Sequence, residues 1–143
     1  MSTQQEIAIR RDILTQTLER WVVVEQQTIE SANHLISEAK SDLVKQVMRL
    51  ILRDSEKHKE LLTTLLQITN GLVTITPEEV GEIDRLLEEH KQIEAESIIL
   101  ANSALEQTNH FVIRQMLEYM LQDERKHLTM TENAAEYKRK IYS

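Results

Sequence analysis

Residues 25–58 read EQQTIESANHLISEAKSDLVKQVMRLILRDSEKH, and residues 94–127, 69 positions further on, read EAESIILANSALEQTNHFVIRQMLEYMLQDERKH. Laid over one another, the stretches share Glu25/Glu94, Ile29/Ile98, Ala32/Ala101, Asn33/Asn102, Gln46/Gln115, Leu52/Leu121, Asp54/Asp123, Lys57/Lys126 and His58/His127. Nine identities in 34 positions compare with roughly two for unrelated sequence at about one in twenty per position. What repeats is a chemical pattern as well as an apolar one. A lone glutamate is followed, about thirty residues later, by an acidic residue and a histidine roughly one helical turn apart, and helical bundles build two-metal sites from such pieces.

The surroundings of this repeat are helical throughout. Two glycines and one proline in 143 residues leave little with which to build hairpin turns between strands, while Leu, Ile, Glu, Lys, Gln and Ala favour helix. The expected class is all-α, in a single domain over residues 1–143. Seventeen basic against twenty-four acidic residues give a net charge of −7, with the acidic residues spread along the helices. That argues against nucleic acid and anionic membrane as partners. The apolar runs, such as Trp21 to Val24, are too short to span a bilayer, and MSTQQEIAIRRD lacks the apolar core of a signal peptide, so a cytoplasmic location is expected. The chain has no cysteine. Thiol nucleophiles, disulfides, zinc–thiolate sites and iron–sulfur clusters are thereby excluded, and any metal must be held by nitrogen and oxygen.

Four helices can be placed. The first runs from about Thr3 to Ala39, with Leu14, Leu18, Trp21, Glu25, Thr28, Ile29, Ala32, Leu35 and Ile36 on one stripe and a break near Arg20 conceivable at that length. Ser41 caps the second, which ends at Asn70-Gly71 and turns Val44, Val47, Ile51, Ser55, His58, Leu62 and Leu65 inward. Thr76-Pro77-Glu78-Glu79 is a helix start, with a capping threonine, a first-turn proline and a capping-box glutamate. The stripe of this third helix passes through Val80, Ile83, Leu87, His90, Glu94, Ser97, Ile98, Ala101 and Ala104 before a turn at Thr108 to His110. The fourth turns Ile113, Met116, Met120, Glu124, His127 and Met130 or Thr131 inward. Short connections near residues 40 and 109 make two antiparallel hairpins, and the expected fold is a four-helix bundle of two pseudo-symmetric hairpins. A head-to-tail arrangement would need the link at residues 70–76 to traverse roughly 40 Å of bundle. Seven extended residues reach only about 25 Å, so the spacing by itself leans toward an up-down-up-down order.

Glu124 and His127, three positions apart, project from one helix face, and Glu94 would face them from the third helix. Glu25 and His58 stand in the same relation in the first hairpin. Burying such groups costs several kcal/mol unless a cation or a partner compensates them. These paired signatures, with a lone glutamate before each, resemble the ferritin-like di-iron carboxylate superfamily, and its rubrerythrin-type members in particular. The resemblance covers most of the chain, from Glu25 to His127.

It implies Glu25, His58, Glu94, Glu124 and His127 as ligands of two iron ions, or manganese, that react with oxygen or peroxide. It also implies Asp54 and Asp123 as outer residues that orient the histidines, head-to-tail hairpins, and an external electron donor, since no cysteine-rich rubredoxin-like part is present in the chain. The sequence departs from the pattern at Ser55, which stands where a bridging glutamate is expected. Asp54, rotated inward, or His90, one turn before Glu94, would be the substitutes; without either, the site holds a single ion or a weakened pair.

Two further readings stand beside this one. His90 alone reads as a packed or solvated side chain, His34 and His110 as solvated, and Trp21, Met48, Met116 and Met120 as core or interface residues. The whole set could also be a buried polar network in a metal-free helical scaffold, with a degenerate or structural metal site at most. Amphipathic helices of this kind further lead one to expect a homodimer.

Overall fold

The computed structural model describes residues 3–74 and 76–142, and the chain is four α-helices: α1 Gln4–Glu38, α2 Asp42–Thr69, α3 Pro77–Glu106 and α4 Phe111–Tyr142. The local chemistry accounts for each boundary. Thr3 and Glu6 form a reciprocal capping box at the start of α1, the hydroxyl accepting from Glu6 N–H at 3.1 Å and the carboxylate from Thr3 N–H at 3.2 Å. Ser41 Oγ accepts from Val44 N–H, and Thr76 Oγ1 from Glu79 N–H one residue before Pro77. At α4 the His110 imidazole takes the capping role, its Nδ1 accepting from Ile113 N–H at 3.4 Å. The first helix is unbroken through Arg20.

The end of α2 is a Schellman motif. Gly71 sits at φ +72°, its N–H donates to Ile68 C=O, and Leu72 N–H reaches back to Gln67 C=O at 2.9 Å. The side-chain amide of Asn70 adds a bond to Leu66 C=O, which leaves few orphan carbonyls at that terminus.

Helix α1 packs against α2 and α3 against α4, and the contacts divide the chain into two compact units, Met1–Thr74 and Ile75–Ser143. Each unit is one antiparallel hairpin. In the first, the buried positions of α1 are Leu18, Glu25 and Ala32, spaced by seven, and those of α2 are Ser55 and Leu62, also spaced by seven. This is the narrow seam of a two-helix contact. Lys59 Nζ donates to Gln26 Oε1 at 2.6 Å across it, and Thr15 Oγ1 meets Asn70 Oδ1 at 3.5 Å near its end. In the second hairpin Val80, Glu94, Leu121 and Thr131 are buried. Arg114 fastens its turn by donating from Nη1 to the carbonyls of Leu105 and Thr108.

The apolar stripes expected from periodicity are wider than these seams. Leu14, Trp21 and Leu35 on α1, Val44, Val47, Ile51 and Leu65 on α2, and Ile83, Ile113 and Met120 in the second hairpin remain exposed. Two helices in contact cover only one edge of a three-residue-wide stripe, so a stripe of this breadth is patterned for more than one neighbour. Between the two candidates at the end of α4, Thr131 is the buried one and Met130 is exposed. Among the described residues no helix is long and apolar enough to cross a membrane.

Candidate metal centre

The second hairpin brings three donors together. Glu94 rises from the middle of α3, and Glu124 and His127 sit one turn apart on α4. One ligand atom from each lies within 4.8 Å of the others. His127 Nδ1 is 3.3 Å from Glu94 Oε1 and 3.9 Å from Glu124 Oε2. Ligand distances of about 2.0–2.2 Å place donor atoms roughly 3–4 Å apart around an ion, so little movement would be needed to close these three on one cation. Glu94 is the buried member, its side chain 5% exposed, whereas His127 is half exposed.

His90 joins this cluster. One turn before Glu94 on the same helix, its Nε2 lies 3.5 Å from Glu94 Oε1. Glu94 Oε1 therefore faces two imidazoles, and Glu94 Oε2 is buried without a hydrogen-bond partner. An unpaired buried carboxylate oxygen is costly, and a bound cation is one of the few groups that would compensate it.

The first hairpin repeats the arrangement. His58 Nδ1 on α2 lies 3.5 Å from Glu25 Oε1 on α1, and Glu25 Oε2 is again buried and unpartnered. The second contact to Oε1 comes here from Trp21, whose indole Nε1–H donates at 3.1 Å. Trp21 precedes Glu25 by four residues, as His90 precedes Glu94, and the pair is itself 69 residues apart. The duplication thus extends one turn earlier than the identities reveal. The residue type differs, but each position supplies a ring nitrogen to the same carboxylate oxygen. Trp21, which reads from sequence as packing, is half exposed and belongs to the candidate site. The 69-residue spacing carries that signal, but tryptophan and histidine share no identity to display it.

The hairpins differ at the third position. Ser55, buried in the seam, occupies the place that Glu124 holds in the second, and the donor set of the first hairpin is correspondingly Glu25 and His58. Asp54 pairs with Lys57 at 3.3 Å, and Asp123 with Lys126 at 3.5 Å, so both aspartates engage the lysine three residues on. His34 is solvent-exposed, as expected, and His110 is exposed while capping α4.

Beside each donor cluster runs an open apolar groove, and the two grooves are lined by equivalent positions. One of about 310 Å³ includes Ser97, Ala101, Leu117, Met120 and Glu124; the other, of about 270 Å³, includes Thr28, Ala32, Met48 and Ile51. No protein-family model, curated protein or solved structure matches this chain. The class that sequence and structure define is an all-α protein of two duplicated helical hairpins with a carboxylate–histidine cluster suited to a metal ion.

Proposed function

We propose that this is a ferritin-like metal-binding protein of the rubrerythrin type, whose carboxylates and imidazoles hold a pair of iron or manganese ions and support ferroxidase- or peroxidase-like oxidation. The observation that carries this reading is the convergence of Glu94, Glu124 and His127, in which Glu94 also keeps its second oxygen, Oε2, buried without a hydrogen-bond partner. The donor set is hard oxygen with imidazole, which suits iron and manganese and offers nothing to a soft ion such as Cu(I). Glu94 and Glu124 would neutralise the ion's charge and His127 would fix its position. His90 would act from outside the donor set, its Nε2 beside Oε1 of Glu94. When bound, the ions supply the electrons that reduce oxygen or peroxide. Repeated turnover would then need an electron donor, and residues 1–143 contain no cysteine to act as one.

Elemental analysis of the full chain, reconstituted anaerobically with ferrous iron, tests this directly. Stoichiometric iron that is lost in Glu124→Ala and His127→Ala at unchanged helicity is the expected result, together with oxygen-dependent ferrous oxidation only where iron is held. A non-enzymatic scaffold is the second reading, favoured by Ser55 and by the contacts that each glutamate already makes with Trp21 and His58 or with His90 and His127. It requires that any iron or manganese the wild-type chain takes up support no oxygen-dependent oxidation.

A further inference from the structure

The donor inventory of the hairpins is unequal, and that inequality says which surfaces should meet. We infer that the complete two-metal site forms between two copies of this chain, the α3–α4 hairpin of one facing the α3–α4 hairpin of the other about a two-fold axis. This rests on the metal-binding reading given above.

The α3–α4 hairpin carries half of a symmetric site: Glu94, Glu124 and His127. A two-fold axis duplicates it, because in an isologous interface every contact is made twice with the roles exchanged. The product is four carboxylates and two imidazoles, and the four carboxylate charges cancel those of two divalent ions. Pairing the same hairpin with α1–α2 gives only three carboxylates, Glu25, Glu94 and Glu124, because Ser55 brings no ligand charge. One positive charge would then be left at a partly buried site, with one ion short of a bridging ligand. Pairing α1–α2 with its own copy leaves two carboxylates.

The surface around the half-site is suited to be covered. Glu94 Oε2 is already buried and unpartnered, and the groove that Glu124 helps to line is formed by Leu100, Ala101, Leu117 and Met120, of which Leu100 and Met120 are exposed. A second α3–α4 hairpin presents the same ridge of side chains to fill the groove, and it delivers its own Glu124 to the ions at the same level. The occupant is therefore this chain itself, and the metal belongs to the pair.

Native mass spectrometry of the 143-residue chain, prepared anaerobically with manganese(II) or ferrous iron as the probe, reads assembly and ion count together. The expected species is a dimer holding two ions, one per chain, unchanged in Glu25→Ala and His58→Ala. In Glu94→Gln and His127→Ala both ions are lost together, with circular dichroism confirming intact helices. A metal-loaded monomer, two ions per chain, or loss of ions in Glu25→Ala or His58→Ala would overturn the pairing while leaving the metal reading in place. Absence of uptake by the wild-type chain with either metal would remove both.

Discussion

At the scale of single residues, the two halves of this chain act as a controlled comparison. Glu25 and Glu94 occupy the same place, keep one oxygen engaged by a ring nitrogen from the preceding turn and by a histidine across the seam, and leave the other oxygen free. They differ in what stands opposite, Ser55 or Glu124. Ser55→Glu is therefore expected to raise manganese or iron uptake measured by equilibrium dialysis, and Ser55→Gln, of like size but uncharged, is not. The glutamates and histidines were legible in the sequence because a repeat of chemically costly residues stands out against a helical background. Trp21 was not, because a lone aromatic at helical spacing reads as packing until the atom its indole donates to is known. Asp54 and Asp123 illustrate the opposite hazard. Their place in the motif suggests a bond to histidine, and each also pairs with a lysine three residues on, Lys57 or Lys126, a contact that helical spacing offers and the motif does not advertise.

The helices themselves were almost wholly readable, since their ends are decided by local chemistry that a sequence displays. Thr3, Ser41 and Thr76 cap where hydroxyls are expected to cap, and Asn70-Gly71 stops α2. Among the described residues, Gly71 is the one position whose backbone requires its residue type. A Cβ there meets no neighbour, so the cost of Gly71→Ala is conformational alone, at φ +72°. It should be about 1–2 kcal/mol, visible as a lower midpoint in urea with no change in metal stoichiometry. What periodicity overstated was burial. It identifies which side of a helix is apolar, not how much of that side one neighbour can cover, and the seams close over fewer residues than the stripes contain.

For the molecule as a whole, the same limit applies with greater force. Hydrophobic patterning calls for more partners than one hairpin supplies, but it carries no information about whether the partner is another part of the chain or another chain. The ligand count does carry such information. Coupling of metal to assembly has a thermodynamic signature: an ion that binds only the folded state stabilises it by RT ln(1 + [L]/Kd), about 2.7 kcal/mol at a hundredfold excess over Kd. Calorimetry is expected to show a melting temperature that rises with manganese(II) and with protein concentration in the wild type, and no dependence on manganese in His127→Ala.

The hydrogen bond from Trp21 to Glu25 also makes the molecule optically self-reporting. Trp21 is its sole tryptophan, so near-ultraviolet emission excited at the red edge comes from one indole, donated to one carboxylate oxygen. A paramagnetic ion captured by Glu25 would lie within a few ångströms of that ring and quench it. Manganese(II) added to one ion per chain should accordingly leave the wild-type emission unchanged while the second hairpin fills, and the same titration of Ser55→Glu should darken it. The first half of the repeat thus carries the lamp by which occupancy of the second can be told apart from its own.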